Sequence, residues 1–183
     1  MKLDELNSNI KPELQPLLEE RWKKNDVLGC LSLYDNMHHI DFILNNINSL
    51  IKNQLYEEVL IKALTTPRLN LKHIPLTFIH GLLDCADKQK MRLHGDALQS
   101  NGPFVLYRGV AGRGEARREK GISWTASLEK AIWFSKRFPG LEDPAVYKSI
   151  VPIEYVYAYT NKRQEQEFIC YLPKNHKLER IRE

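Results

Sequence analysis

Glu165 and Glu167 stand one residue apart in NKRQEQEFICYLP (161–173), where charge gives way to an apolar run. Two carboxylates at the mouth of a buried strand suit acid and base work. Strand alternation sets both on one face, with Gln164, Gln166 and Phe168 on the other, close enough for repulsion to raise the pKa of one of them. A solvated strand entry beside Lys162 and Arg163 would account for the pair without chemistry. Two further stretches carry groups of this kind. In LYRGV, Arg108 comes late in an apolar strand, where burial is costly unless an anion or a set of acceptors meets it, and Gly109 lets something approach the backbone. A structural carboxylate at the strand end is the alternative partner. In GISWTAS (121–127), an extended chain points Ser123 and Thr125 to one side and Trp124 to the other, so the hydroxyls line a cleft while the indole packs beneath.

The elements that must hold these groups fall into two grammars. From residue 16 to about 91 apolar residues recur at three and four: Ile40, Ile43, Leu44, Ile47 and Ile51, then Leu55, Val59, Leu60, Ala63 and Leu64, until TTPR (65–68). Two helices hinged near Asn48 and Ser49 are expected. Pro75 opens another, with Leu76, Ile79, Leu82, Leu83 and Ala86 as its buried stripe and DKQKMR as its wet end; Pro16 and Asn25-Asp26 start two shorter ones. Beyond Pro103 come strand-like runs at 104–110, 121–127, 145–151, 153–159 and 167–172, rich in β-branched and aromatic residues. One helix interrupts them, SLEKAIWFSKRF, capped by Ser127 with Ala131, Phe134 and Phe138 on one side; the tail after 173 is a last strand or a frayed helix. The expected fold is α+β, with a helical region over residues 1–100 and a mainly antiparallel β domain over 101–183.

Composition narrows the function classes. With 43% hydrophobic and 27% charged residues the chain of 183 is neither disordered in bulk nor membrane-like. No apolar run approaches the roughly 20 residues of a membrane span, and MKLDELNSNIKPELQ lacks the marks of a secretory signal, so a cytoplasmic location is expected. Cys30, Cys85 and Cys170 lie among apolar neighbours and read as buried reduced thiols. No metal site is expected, since His80, Asp84 and Cys85 have no second ligand pair. Residues 1–100 hold 12 Lys or Arg against 13 Asp or Glu, and residues 101–183 hold 15 against 10, which fits a phosphate-bearing partner for the second half or a solvated surface alone.

In order and approximate spacing, YRG, GISWTAS followed by AIWF, and EQEFI resemble the Arg-Ser-Glu class of ADP-ribosyltransferases over roughly residues 103–173. The commoner middle motif of that family is Ser-Thr-Ser; here it is Ser123-Trp124-Thr125. The resemblance implies a β-sandwich catalytic domain that moves ADP-ribose from NAD to a macromolecule and releases nicotinamide. By family position Glu167 stabilises the oxocarbenium-like transition state, and Glu165 activates the acceptor, a protein arginine or the exocyclic amine of an RNA or DNA base. Arg108 is expected on the NAD diphosphate or a ribose hydroxyl, Ser123 on the nicotinamide-side ribose, and Gly109 and Thr125 beside them as cofactor contacts. The loop AGRGEARREK (111–120) would add backbone N–H groups and basic side chains, although it matches no P-loop or Rossmann pattern. The helical region then covers the site, docks the target or binds an inhibitory antitoxin, in keeping with a toxin or defence effector. Two other readings use the same residues differently: a basic nucleic-acid-binding or partner-binding module without activity, and an NAD glycohydrolase with water as acceptor. Tyr155, Tyr157 and Tyr159, alternating along one strand face, stack bases in the first of these or line a core.

Overall fold

A computed structural model describes residues 10–66 and 74–181. The stop signal expected at Pro67 and Arg68 lies outside the described residues. The protein is α+β: among the described residues there are seven α-helices and a six-stranded antiparallel sheet. The chain divides into two compact units, Met1–His73 and Ile74–Glu183.

The first unit contains α1 (Gln15–Lys23), α2 (Val27–Leu31), α3 (His39–Lys52) and α4 (Tyr56–Leu64). Pro16 sits in the first turn of α1, where a missing N–H costs nothing, and Asp26 caps α2 by accepting from the Gly29 N–H at 2.9 Å. The expected hinge near Asn48 and Ser49 is absent. Helix α3 runs through both, because Ile43, Asn46 and Leu50 keep one buried stripe there, and the break comes at 53–55 with Gln54 in the left-handed region (φ 59°). Leu50, Tyr56, Val59, Leu60 and Ala63 are fully buried.

The second unit begins with two helices that the sequence reading merged. Helix α5 (Leu76–Asp84) ends at Cys85, and α6 (Lys88–His94) starts afresh with Asp87 as cap, its carboxylate accepting from the Gln89 and Lys90 N–H groups. The wet end expected after Ala86 is therefore a helix of its own. Helix α6 lies on the sheet, where Arg92 donates to the carbonyls of Ile153 (2.7 Å) and Val156 (2.9 Å). The sheet unit thus starts at residue 74, not near the expected boundary at residue 100. Cys85 is exposed, which corrects its assignment as a buried thiol; Cys30 and Cys170 are buried.

The strands are β1 (Phe104–Val110), β2 (Ser123–Thr125), β3 (Ala145–Val151), β4 (Val156–Thr160), β5 (Glu167–Cys170) and β6 (Glu179–Ile181), with α7 (Leu128–Lys136) between β2 and β3. Their order is β4-β5-β2-β1-β3-β6. The tail is a strand, not a helix, and pairs with β3. Strands β1 and β3 share seven register pairs, whereas β1 meets β2 through Tyr107↔Thr125 alone. The sheet thus nearly parts into two three-stranded halves.

One face of this sheet is packed. Phe104, Leu106, Trp124, Val151, Val156, Tyr159, Phe168, Cys170 and Leu172 form a single buried cluster. Tyr157 and Tyr159 are buried and Tyr155 stands in a turn before β4, so the three tyrosines are core and flank rather than a stacking face. Ser127 caps α7 as expected, accepting from the Lys130 N–H at 3.2 Å. Its inner side is Ala131 and Ser135, while Phe138 lies past the helix end and is 52% exposed.

Candidate active site

Register brings the three motifs to the middle of the sheet. Thr125 lies opposite Glu167, Ser123 opposite Ile169, and Trp124 opposite Phe168. Residues directly opposite in an antiparallel pair share a face, so Ser123, Thr125 and Glu167 point one way while Trp124 and Phe168 enter the core cluster the other way. The Trp124 indole is pinned by donating to the Gly121 carbonyl at 2.8 Å. Sequence alternation across β2 holds as expected.

Glu167 is buried, and the Ser123 hydroxyl donates to its Oε1 at 2.6 Å. Its Oε2 accepts from Arg163 Nη2 at 2.9 Å. Burial pushes the Glu167 carboxyl above its ordinary value, and nearby Glu165 pushes the same way; the Ser123 hydrogen bond, Arg163 and Arg108 oppose this without cancelling it. The carboxyl group is held where charge is costly.

Glu165 reaches the same neighbourhood by a route that strand alternation does not describe. Strand β5 begins only at Glu167, and residues 161–166 form a turn in which Gln164 (φ 56°) and Gln166 (φ 47°) are left-handed. Left-handed backbone is rare for residues with a β-carbon, so other bonds must hold it. Asn161 Oδ1 accepts from the Gln166 N–H at 3.1 Å, the Asn161 carbonyl accepts from Gln164 at 2.8 Å, and Asp96 Oδ2 accepts from Asn161 N–H at 2.6 Å. The folded-back turn aims both carboxylates at one guanidinium. Arg163 Nε and Nη2 donate to Glu165 Oε2 at 3.0 and 2.7 Å, while Nη2 also reaches Glu167.

Thr125 does not present its hydroxyl to a cleft. It is buried, donates to the Glu165 carbonyl at 2.6 Å and accepts from the Ser127 N–H at 3.0 Å. Its observed work is to tie β2 and the start of α7 to the glutamate turn. Gly109 is likewise explained by packing: a β-carbon there would lie 2.6 Å from the Ser135 amide nitrogen of α7. What approaches this backbone is a helix, so the structure gives Gly109 a packing role.

Arg108 is half-buried beside these groups. Its Nε donates to the Arg118 carbonyl at 3.1 Å and its Nη1 to the Ser123 carbonyl, just where the β1–β2 pairing has ended. The side chain fastens the start of β2 where the backbone ladder does not. Burial pulls its pKa down to about 10, with the Glu167 carboxylate pulling it back up and Arg118 adding to the depression, and the guanidinium stays charged at neutral pH. Gly121 makes room for it, since a β-carbon there would come within 2.6 Å of the Arg108 guanidinium carbon. The main chain thus meets Arg108 as acceptor set, the alternative to an anion that its burial demanded.

Much of the basic charge expected to meet phosphates is internally engaged. Arg117 pairs with Asp143, Arg113 with Glu142 at 3.1 Å, Arg118 donates to the Ile74 carbonyl at 2.6 Å and Lys120 to the Lys174 carbonyl. Asp143 also receives Arg180 at 2.9 Å, and hydrogen bonds from Arg117 and then Arg180 hold its carboxyl below the ordinary range.

Sequence reasoning missed Arg163 and Gly121. In the sequence Arg163 is only charge beside two glutamates, and the signal that could have found it is an arginine two residues before one carboxylate and four before the other, across a turn able to fold back. Gly121 needed the location of the Arg108 guanidinium, which no local pattern carries. No helix among the described residues is long and apolar enough to cross a membrane. Neither a scan against protein-family models nor searches of curated proteins and solved structures returns a match.

Proposed function

We propose that the second unit is an ADP-ribosyltransferase that moves ADP-ribose from NAD to a macromolecular acceptor and releases nicotinamide, with an arginine guanidinium as the acceptor group. The observation that carries this reading is the 2.6 Å hydrogen bond from Ser123 to the buried Glu167 carboxylate, with Arg108 bonded to the carbonyl of the same serine. Strand order β5-β2-β1 joins groups far apart in sequence into one such set.

The bond to be broken joins a ribose carbon to a cationic pyridinium, and positive charge builds on the sugar as nicotinamide leaves. A carboxylate already fixed in a poorly solvated place interacts more strongly with that charge than with the uncharged ground-state sugar, which is differential stabilisation of the transition state. Burial that raises the Glu167 pKa supports this role, and Ser123 fixes the carboxylate's orientation without neutralising it. Glu165, less buried and at the mouth of β5, stands next to a guanidinium and takes the proton an arginine nucleophile must lose. Arg108 contributes position and a positive field. The near-parting of the sheet at Tyr107↔Thr125 supports the two-layered sandwich of the family as the finer form of the fold.

The test uses the purified chain with NAD and a cell lysate fractionated into protein and nucleic acid. Nicotinamide release with ADP-ribose on protein is expected, and Glu167→Gln should lower the rate by about 100- to 1,000-fold, in line with loss of one preorganised electrostatic partner. Free ADP-ribose as sole product would identify a glycohydrolase. No release at all, with salt-dependent nucleic-acid binding indifferent to Glu167→Gln, would leave the binding-module reading.

A further inference from the structure

Arg163 has a place that no role above uses. Its guanidinium lies on both glutamates at once, 2.7 Å from Glu165 Oε2 and 2.9 Å from Glu167 Oε2 through the same Nη2 nitrogen. An arginine acceptor would have to bring a guanidinium nitrogen to this point, against the carboxylate that takes its proton and beside the carboxylate that stabilises the sugar cation. The chain already holds one there. We propose that Arg163 is itself an acceptor, ADP-ribosylated by the chain that carries it. The inference rests on the transferase reading above.

The step balances with NAD as the only co-reactant. A terminal nitrogen of Arg163 forms the new bond to the ribose C1′ carbon. The bond from C1′ to the pyridinium nitrogen breaks, its electron pair stays on that nitrogen, and neutral nicotinamide leaves. The proton lost by the guanidinium passes to Glu165. Nothing is oxidised or reduced.

Three features favour this side chain over a dissolved arginine. The reacting nitrogen is already on its base, so little orientation has to be gained at the moment of reaction. It is attached two residues from Glu165 by a turn whose left-handed residues are held by Asn161, so its effective concentration is on the order of millimolar or more. The Arg163 side chain is 31% exposed, against 9% for Glu167, so a dinucleotide can reach it from solvent. Lys162, next to it and exposed, has no carboxylate of this pair against it and serves as an internal control.

The experiment incubates the full chain with NAD, follows nicotinamide release, and locates adducts by intact mass and peptide fragmentation. One ADP-ribosyl group per chain is expected, on Arg163, forming with a rate constant independent of protein concentration. Arg163→Lys, which keeps the positive charge between the carboxylates, should lose the adduct at position 163. A mixture of wild type with Glu167→Gln should leave the Glu167→Gln chain unlabelled. Nicotinamide release with an adduct elsewhere, such as Lys162, would overturn the self-acceptor role and leave the transferase reading standing, whereas release with no adduct would overturn the self-acceptor role and identify the glycohydrolase instead. Labelling of the Glu167→Gln partner would overturn transfer within one chain. No nicotinamide release under any condition would overturn both.

Discussion

On the transferase reading proposed above, Glu167 is the residue on which stability and activity pull in opposite directions. Its folded-state pKa is raised from 4.5, mainly by burial. Between the unfolded and the folded value the native chain therefore binds a proton that the unfolded chain does not, and stability falls as pH rises through that window. Below 4.5 both states are protonated and the difference vanishes. Against Glu167→Gln, whose side chain does not titrate, the wild type is expected to lose ground in urea midpoint as pH climbs from below 4.5 towards neutrality. A difference that stays constant with pH would mean the carboxylate is not held as a costly ion. Nicotinamide release should rise along the same limb, since the ionised form is the useful one. At this scale the sequence was informative about residue types and silent about partners. Glu167, Ser123 and Arg108 stood out by residue type and motif order, while the adjacency of β5, β2 and β1 comes from the sheet. The neighbours of Thr125 and Gly109, the Glu165 carbonyl and helix α7, are not legible in the motifs, because a short motif does not say which neighbour will arrive.

The elements around the site are fixed by glycines and turns more than by strand length. Helix α7 can lie on β1 only because Gly109 has no side chain, so Gly109→Ala must push the helix off or bend the strand. Overpacking of this kind typically costs about 1–3 kcal/mol, and backbone on both sides of the contact puts this substitution at the upper end. Gly121→Ala meets only the end of a long side chain, Arg108, and should cost less in stability while loosening β2 at Ser123. Denaturant unfolding of the two variants, read beside nicotinamide release, checks the contrast: a Gly121→Ala protein as unstable as Gly109→Ala would refute it. The strands at 104–110 and 145–151 were legible to the residue, because alternation and flanking Gly or Pro bound them on both sides. Helix limits were less so. Apolar periodicity runs on through α3, where an asparagine and a serine looked like a hinge, and it cannot show that Asp87 stops one helix and caps the next.

For the whole molecule, the division at His73 and Ile74 changes which pieces belong to the sheet. Residues 74–183 carry 18 Lys or Arg against 13 Asp or Glu, so the positive surplus stays with this unit when the two helices before the sheet are included. Those helices and the residues flanking them supply bonds the sheet lacks otherwise: Arg92 to Ile153 and Val156, Asp96 to Asn161 in the glutamate turn, and the Ile74 carbonyl to Arg118. A fragment starting at Ile74 is expected to unfold cooperatively, and one starting at Asn101 to be expanded or insoluble, as judged by circular dichroism and thermal melting. Equal behaviour of the two would place the true boundary near residue 100 after all.

The three thiols are distributed so that the protein can report on itself. Cys85 faces water at the end of α5, Cys30 is shut inside the first unit with its thiol pushed up to about 11, and Cys170 is shut inside the sheet with its thiol also pushed up by burial. Alkylating reagents capture thiolates, so the closed pair stays unmarked until its own surroundings open. A mass spectrum taken at intervals during alkylation therefore dates the opening of each half separately, with Cys85 as the zero of the clock and no dye or engineered probe to disturb either one.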